Sequence, residues 1–497
     1  MPKCKSPRVS RRSILTGLAG TAAAGAALTA TNHSVTQVAA ARAPIGSFER
    51  PFSIPSLWNS RPLGAVLGTE IIPEENNKAY LNQGAYGSAV YRATADDPAV
   101  EISGSRNQNG LWVSDELRHR KVIVPHFPAS AVPAAGNDGH CEIYDPTSGI
   151  LHSFYQLKFY PEDNVWKATK YNAIHADESG WGTPSQPDGP RAAGISTAGG
   201  LLRSHEAESL DVRHALAVGA HANVLRSGPV FPATLQDQKG EQDYTGQFPM
   251  GTHFMLPPEF DAQSMTSPEA RAIAQALKKY GARLVEQTFG AFVFYGEIGG
   301  NWSQIKTSSG AWNPPWEQDL ATMRDALRRV TSVQQWLGAN DRPYVPKSWA
   351  DMNLLSMRGP WNGPGNIGLP GSSYDTLTRL FRFPQSTQTG RYRTVIGLRD
   401  MTASQSWFSW QNASTWYTNP DPAAAYRLSL KGFGGGKASL EIRLRSNPVR
   451  VVRFGPLAVG GSLRIEPMGA EWDTTTMSVA KGPGAGSGLR LELIKTS

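Results

Sequence analysis

Short runs of alternating apolar and polar residues, ended by Gly, Pro, Asp or Asn, constrain the fold of this chain more than any other feature. Its 497 residues include 50 Gly and 36 Pro, only 18% of them are charged, and long helical patterns are rare. Alternation has the period of a β-strand, and Gly and Pro mark turns between strands. The pattern therefore predicts a mainly β protein.

The spacing of these runs predicts how the chain is divided. We expect a β-sandwich or jelly-roll-like domain with two packing helices over 44–330, and an antiparallel β-sandwich over 376–497. Residues 331–375 are rich in Pro and Gly and are interpreted as a connector. A chain of this length is usually too long to fold around a single hydrophobic core, which favours at least two domains.

Local patterns place individual elements. HCEIYD and ILHSFYQL alternate on either side of the turn Asp145-Pro146-Thr147-Ser148-Gly149, which predicts a hairpin over 140–157. The sequence Ser267-Pro268-Glu269 is typical of a helix start, and Gly281 of a stop. A second helix is predicted from about Trp316 to Val330.

The first 43 residues have the pattern of a twin-arginine signal peptide. A basic head precedes Ser10-Arg11-Arg12-Ser13-Ile14-Leu15, an Ala/Gly-rich run follows, and small residues near 39–43 suit cleavage. This run is too short and weakly apolar for a membrane span. We expect a secreted protein that meets the twin-arginine translocation machinery and keeps no stable membrane anchor.

Without this segment the chain is almost neutral and has one cysteine. The whole chain holds 49 basic and 41 acidic residues, but six basic and no acidic ones lie in 1–43. The high pI is therefore no sign of nucleic-acid binding. Cys4 lies in the signal, so Cys141 has no partner for an intramolecular disulfide.

Histidine placement predicts where chemistry occurs. Apart from His33, all histidines lie between His119 and His253. In the first of three segments there, Asp138 precedes His140-Cys141-Glu142-Ile143-Tyr144-Asp145. On a strand His140, Glu142 and Tyr144 share one face. That face is either an exposed acid/base or metal cluster, or an ordinary polar face ending in a turn.

The second segment runs from Arg191 to Leu216 and holds Arg203, Glu206 and His214. A carboxylate and an imidazole in one cleft suit general acid/base catalysis, and Arg203 could bind an acidic group of a substrate. The alternative is a set of surface ion pairs. We favour catalysis, with Glu206 and His214 foremost.

The third segment, Tyr244 to Phe254, is typical of a tight turn into a strand. His253 there either faces the cleft or lies satisfied in the core. Tyr244, His253 and Trp181 are candidate substrate contacts together with Arg203, because aromatic side chains in polar loops often stack on sugar rings. Core packing is the alternative for the tryptophans.

The string GW…RAAGIS…GGLLR..E…HAL…FPMGTHF.LPP…ALKKYG resembles a widespread set of secreted bacterial β-rich proteins, most of them without an assigned function. The resemblance covers about residues 138–340 and leaves out the C-terminal 120 residues. It implies that Asp138, His140, Arg203, Glu206 and His214 belong to a shared pattern. It implies no mechanism.

Missing motifs narrow the choice. HExxH, the P-loop, GxSxG and the EF-hand loop are absent from the sequence. No cofactor is implied with certainty, and a single divalent metal held by Asp138, His140 or His214 is allowed.

Three functions remain open. The favoured one is a carbohydrate-active enzyme that cleaves an extracellular polysaccharide, by hydrolysis with Glu206 plus Asp138 or Asp145, or as a lyase. The alternatives are a non-catalytic secreted binding protein and a metal-dependent hydrolase of another polymer.

Overall fold

The computed structural model describes most of the chain beyond residue 42. The described residues are 43–104, 121–182, 188–237, 239–304, 311–348, 351–355, 357, 367–375, 378–398, 415–418 and 420–496. The predicted signal peptide lies outside them, apart from its last residue. Within the described residues no helix is long and apolar enough to cross a membrane.

The prediction of a mainly β fold is confirmed. In chain order the strands are β1 (Arg61–Leu67), β2 (Lys78–Asn82), β3 (Ala89–Arg92), β4 (Val100–Gly104), β5 (Lys121–Val124), β6 (Cys141–Asp145), β7 (Ile150–Tyr155), β8 (Lys158–Tyr160), β9 (Val165–Ala168), β10 (Lys170–His175), β11 (Leu216–His221), β12 (Leu225–Arg226), β13 (Phe248–Pro249), β14 (His253–Met255), β15 (Ala282–Thr288), β16 (Ala291–Tyr295), β17 (Arg328–Leu337), β18 (Pro343–Tyr344), β19 (Ser373–Asp375), β20 (Leu380–Phe383), β21 (Gly390–Leu398), β22 (Thr415–Thr418), β23 (Tyr426–Phe433), β24 (Lys437–Leu444), β25 (Val451–Ala458), β26 (Ser462–Ile465), β27 (Trp472–Lys481) and β28 (Ser487–Lys495). The helices are α1 (Ser204–Ser209), α2 (Gly240–Asp243), α3 (Pro268–Lys279) and α4 (Pro314–Ala326).

An eight-stranded mixed sheet is the centre of the first half of the chain. Its order is β1-β17-β14-β15-β11-β16-β2, with β18 paired to β17. β11 and β15 are parallel, whereas β16 runs antiparallel to β11. The apolar residues of α3 and α4 pack into the same large hydrophobic cluster as the inner residues of this sheet.

The predicted start of α3 is confirmed, whereas the predicted end of α4 is not. The Ser267 hydroxyl accepts a hydrogen bond from the Ala270 N–H, so α3 begins at the predicted cap. The predicted end of the other helix at Val330 is wrong, because α4 stops at Ala326 and Arg328 starts β17. Pairing with β1 outweighs the helical pattern there.

Two four-stranded sheets lie between β2 and β11 in the chain. Their orders are β10-β7-β6-β3 and β5-β4-β9-β8. The predicted hairpin is confirmed as β6 and β7, in which Cys141 pairs with Phe154 and Asp145 with Ile150. The interpretation of β6 as having an exposed polar face is wrong, since every residue of β6 is buried.

Two five-stranded sheets make up the C-terminal part. Their orders are β19-β20-β28-β23-β26 and β22-β21-β27-β24-β25. Apolar residues of both sheets share one hydrophobic cluster, as in a sandwich. The pair β21–β22 is parallel, and the other pairs are antiparallel.

The predicted division at residue 330 falls inside a strand. β17 crosses it and pairs along its length with β1, so residues up to Leu337 belong to the large sheet. At the other end of the predicted connector, β19 pairs with β20 of the C-terminal sheet. Since Ala43–Ser497 group into one compact unit, the three-part division after residue 43 stays a prediction.

Candidate functional site

Glu206 and His214, the foremost catalytic candidates of the sequence, are bonded to each other. His214 Nε2 lies 3.0 Å from Glu206 Oε1 and 3.1 Å from Oε2. The Arg203 N–H also donates to Glu206 Oε2 at 2.9 Å, which caps the start of α1. Both carboxylate oxygens thus have partners; Glu206 is buried and His214 is partly exposed.

Arg203 is held in the same neighbourhood. Its Nε donates to Glu297 Oε2 at 3.1 Å, and one terminal nitrogen donates to the Phe48 carbonyl at 2.8 Å. Its guanidinium also lies 4.6 Å from the centre of the Phe48 ring. The predicted substrate-binding role of Arg203 would have to compete with these contacts.

Asp145, another predicted catalytic carboxylate, accepts several hydrogen bonds from the turn that follows it. Its oxygens accept from the Thr147 N–H at 2.9 Å, the Thr147 hydroxyl at 2.6 Å and the Ser148 hydroxyl at 3.0 Å, and one lies 3.0 Å from His126 Nδ1. Burial would raise the pKa of Asp145, but these hydrogen bonds lower it to about 2. A carboxylate so firmly ionised is a poor proton donor.

Trp181 and His253, predicted as substrate contacts, are core residues. Trp181 is buried and packs against Trp58 and Phe231, with ring centres 6.3 and 5.8 Å away. His253 is buried with Nε2 2.8 Å from the Tyr280 carbonyl. Trp181 belongs to the large hydrophobic cluster, and His253 lies buried at its edge. Core packing therefore explains these two residues better than the loop position that the sequence suggests.

Three partly exposed carboxylates gather instead around a buried arginine. We name Asp138, Asp237 and Glu286, with Arg191 between them, the acidic cluster. Asp138 was predicted from sequence; its charge raises the pKa of Asp237, and the charges of Asp138 and Asp237 raise that of Glu286. Arg191 is buried and lies 3.9 Å from Glu286 Oε2, measured from its nearest terminal nitrogen.

Backbone geometry fixes Arg191 and Glu286. The Ala192 N–H donates to both oxygens of Glu286 at 3.3 Å. Gly194 closes the turn that follows Arg191 at a φ of +75°, where its N–H donates to the Arg191 carbonyl at 2.8 Å. A side chain at Gly194 would be strained by that φ and would lie 2.2 Å from the Thr234 hydroxyl, so glycine is required there.

Two tyrosines join the acidic cluster. Tyr244, a predicted substrate contact, donates its hydroxyl to Asp237. The Tyr295 ring lies 4.0 Å from the Arg191 guanidinium carbon, and its hydroxyl lies 2.7 Å from where a Cβ on Gly219 would stand. Burial raises the pKa of both phenols, and so do Asp237 for Tyr244 and Glu286 for Tyr295.

All three carboxylates have raised pKa values. For Glu286 burial is the largest cause and the Asp237 charge the next, and the pKa lies well above its ordinary value. Burial also raises the pKa of Asp138, while the Arg191 charge opposes the shift. Burial raises the pKa of Asp237 against the hydrogen bond from Tyr244. Burial therefore favours the protonated form of all three carboxyl groups.

His140 lies beside this cluster as a neutral imidazole. Burial and the nearby Arg191 charge lower its pKa to about 3, and its Nδ1 has no hydrogen-bond partner among the residues described. Arg191 is therefore a neighbour of both Asp138 and His140. Glu206 and His214 form a separate pair, in which each residue is the largest charge acting on the other.

Metal binding finds no support in this geometry. Within the described residues, no three His, Cys, Asp or Glu side chains are placed to hold a metal ion. The hypothesis of a metal held by Asp138, His140 or His214 has no ligand set among those residues.

Sequence reasoning missed Arg191, Asp237, Glu286 and Tyr295. Glu286 had a detectable signal, since it interrupts the apolar run of β15 at a strand end. Asp237 lies in a polar turn with no distinguishing pattern.

Comparison with known proteins adds little. No family model matches the chain, and no curated protein sequence matches it. A chain of the structure of accessory secretory protein 1, 2 and 3 in Streptococcus pneumoniae is 10% identical over 31% of this chain and 100% of its own, with a TM-score of 0.19. A chain of the Gap123 glycosylation-associated complex from Streptococcus agalactiae is 15% identical over 28% and 43%, with a TM-score of 0.20. TmCBM61, in complex with beta-1,4-galactotriose, is 14% identical over 24% and 70%, with a TM-score of 0.14. Likenesses this low carry no argument about fold or function.

Proposed function

We propose that the protein is a secreted carbohydrate-active enzyme that hydrolyses glycosidic bonds of an extracellular polysaccharide at the acidic cluster. The observation that supports this is the set of partly exposed carboxylates with raised pKa values around Arg191. Glycoside hydrolysis needs one protonated and one ionised carboxyl group on either side of the bond. The export signal and the resemblance to secreted bacterial proteins favour a substrate outside the cell.

Glu286 is the proposed general acid. Burial and the Asp237 charge hold its proton at a pH where an ordinary glutamate is ionised. In the reaction it would donate that proton to the glycosidic oxygen as the bond to the leaving sugar breaks.

Asp138 is the proposed ionised partner. The Arg191 charge favours its carboxylate form, although burial opposes it. That carboxylate would activate water or attack the anomeric carbon. Asp237 has a positioning role, since the Tyr244 hydroxyl holds it where its charge keeps the proton on Glu286.

A hydrolase accounts for the tyrosines better than a lyase does. A lyase needs a base to remove a proton beside a uronate carboxylate. Tyr244 and Tyr295 have raised pKa values, so both phenols stay protonated and are poor bases.

The test is an activity screen of the exported protein on a panel of polysaccharides, with product analysis. A hydrolase yields new reducing ends without the ultraviolet absorbance of unsaturated uronates. We expect Glu286→Gln to lower kcat by about 10²–10⁴-fold, the usual contribution of a general acid.

Asp319→Asn is the matched control. Asp319 is a carboxylate more deeply buried than Glu286, but it accepts hydrogen bonds from Thr266 before the start of α3 and lies in no proposed site. Its variant should keep native kcat once folded. Full activity in Glu286→Gln would disprove the site, and sugar binding without any cleavage would favour a non-catalytic binding protein.

A further inference from the structure

Arg283 is a buried cation that has no counter-ion among the described residues. Its side chain, on β15, is 5% exposed, and its Nε and Nη2 have no hydrogen-bond partner in the part of the chain that the structure describes. Burial lowers the pKa of Arg283 to about 9, and the one ionisable group that opposes this is the Tyr344 phenol. A charge removed from water without a partner is strongly unfavourable, so these two N–H groups call for an occupant.

Nε and Nη2 form one edge of the Arg283 guanidinium, and two other arginines of this chain use this edge to bind carboxylates. Arg61 uses Nε and Nη2 to hold Asp341, both at 3.0 Å. Arg382 uses the same two nitrogens to hold Asp375, at 3.1 and 2.7 Å. In both cases the two N–H donors converge on one oxygen, Oδ1 of Asp341 and Oδ2 of Asp375, so this edge is suited to a carboxylate oxygen.

A second unpartnered group lies next to Arg283. His253 is its cross-strand partner on β14, so both side chains are on the same face of the sheet. His253 Nε2 donates to the Tyr280 carbonyl at 2.8 Å, which leaves Nδ1 as an acceptor, and no described residue is a partner of Nδ1. Two polar groups with unmet hydrogen bonds therefore lie side by side on one face of the sheet.

Trp336 and Tyr344 lie beside these two polar groups. The Arg283 guanidinium carbon lies 5.7 Å from the centre of the Trp336 ring, and the His253 ring stacks on the same indole at 5.7 Å. Trp336 pairs with Tyr344 of β18, a two-residue strand that pairs with β17 alone. Both aromatic side chains are only partly buried, so a small molecule could enter beside them.

We propose that Arg283 binds the carboxylate group of a small ligand through Nε and Nη2, beside Trp336 and Tyr344. This site is independent of the acidic cluster and does not rest on the proposed function. The ligand is small because Arg283 is nearly enclosed.

The test is calorimetric titration of the folded protein with acetate at constant ionic strength. We expect saturable binding that stabilises the protein against heat. Arg283→Lys keeps the charge but loses the two-nitrogen edge, so acetate should bind about tenfold more weakly or worse. Arg61→Lys makes the same change at the carboxylate contact with Asp341 and should leave acetate binding unchanged.

Several outcomes would overturn the site. The first is that the native protein shows no saturable acetate binding, in which case water satisfies these N–H groups. The second is that Arg283→Lys binds acetate as well as the native protein does. The third is that chloride binds as tightly as acetate. If Arg283→Lys does not fold, Trp336→Phe replaces it. Acetate should then change the tryptophan fluorescence of the native protein but not of Trp336→Phe, and the same change in both would disprove the proposal.

Discussion

Replacing Glu206 by glutamine should cost stability in a way that depends on pH. Glu206 accepts from the Arg203 N–H at 2.9 Å and contacts His214 Nε2 at 3.0 Å, while His214 Nδ1 lies 2.9 Å from the Ala215 carbonyl. Since both ring nitrogens face acceptors, His214 is held as an imidazolium. Burial would lower the pKa of His214, but the Glu206 charge raises it above its ordinary value.

The magnitude follows from what glutamine retains. Glu206→Gln keeps an acceptor for the Arg203 N–H but removes the charge opposite His214. A hydrogen bond to a charged group contributes about 1.5–3 kcal/mol, so the free energy of unfolding should fall by that amount at about pH 5.5. Because the folded pKa of His214 is raised, its stabilisation is complete below about pH 6.5 and is lost as the pH rises through the folded value.

The assay is urea unfolding followed by circular dichroism at about pH 5.5 and about pH 9, on either side of the histidine titration. The loss caused by Glu206→Gln should shrink at the higher pH. Glu208→Gln, on the exposed face of α1, is the control and should change stability by less than about 0.5 kcal/mol. An equal or larger loss at the higher pH would refute the assignment of an ion pair.

Two further predictions concern β6. Asp145→Asn should lower the free energy of unfolding by about 1–3 kcal/mol at neutral pH, because hydrogen bonds to a charged group are lost. The pKa of Asp145 is lowered to about 2, so its stabilisation is complete above about pH 4 and is lost as the pH falls through 2. The melting temperatures of the native protein and Asp145→Asn should therefore converge as the pH is lowered from neutral. Cys141 is buried, which raises the pKa of its thiol, so a thiol reagent should label it only in denaturant, and rapid labelling of the folded protein would contradict its burial.

Local features were predictable from sequence. The β6–β7 hairpin and the start of α3 depend on neighbouring residues alone, namely a five-residue turn and a serine cap followed by proline. The end of α4 and the extent of β17 were not, because β17 is stabilised by β1, far away in the sequence. Propensity within a window cannot anticipate such pairing.

The acidic cluster shows the same limit. Asp138 and Tyr244 were found because they lie near histidines, but Glu286 comes from a strand roughly 150 residues after Asp138. Histidine was also a misleading guide. His140, His152 and His253 are all buried with lowered pKa values, as expected of neutral residues that fill a core.

The pairing of β1 with β17 also has a consequence for synthesis. Arg61 lies opposite Leu337 in the finished sheet. At about 5–20 residues per second, β1 leaves the ribosome roughly 15–55 s before its partner strand exists. Throughout that interval the backbone of β1 lacks its native hydrogen-bonding partner, and such an edge can pair with other chains. A chaperone that shields residues 61–67 during translation should therefore raise the yield of folded protein more than one that acts after release.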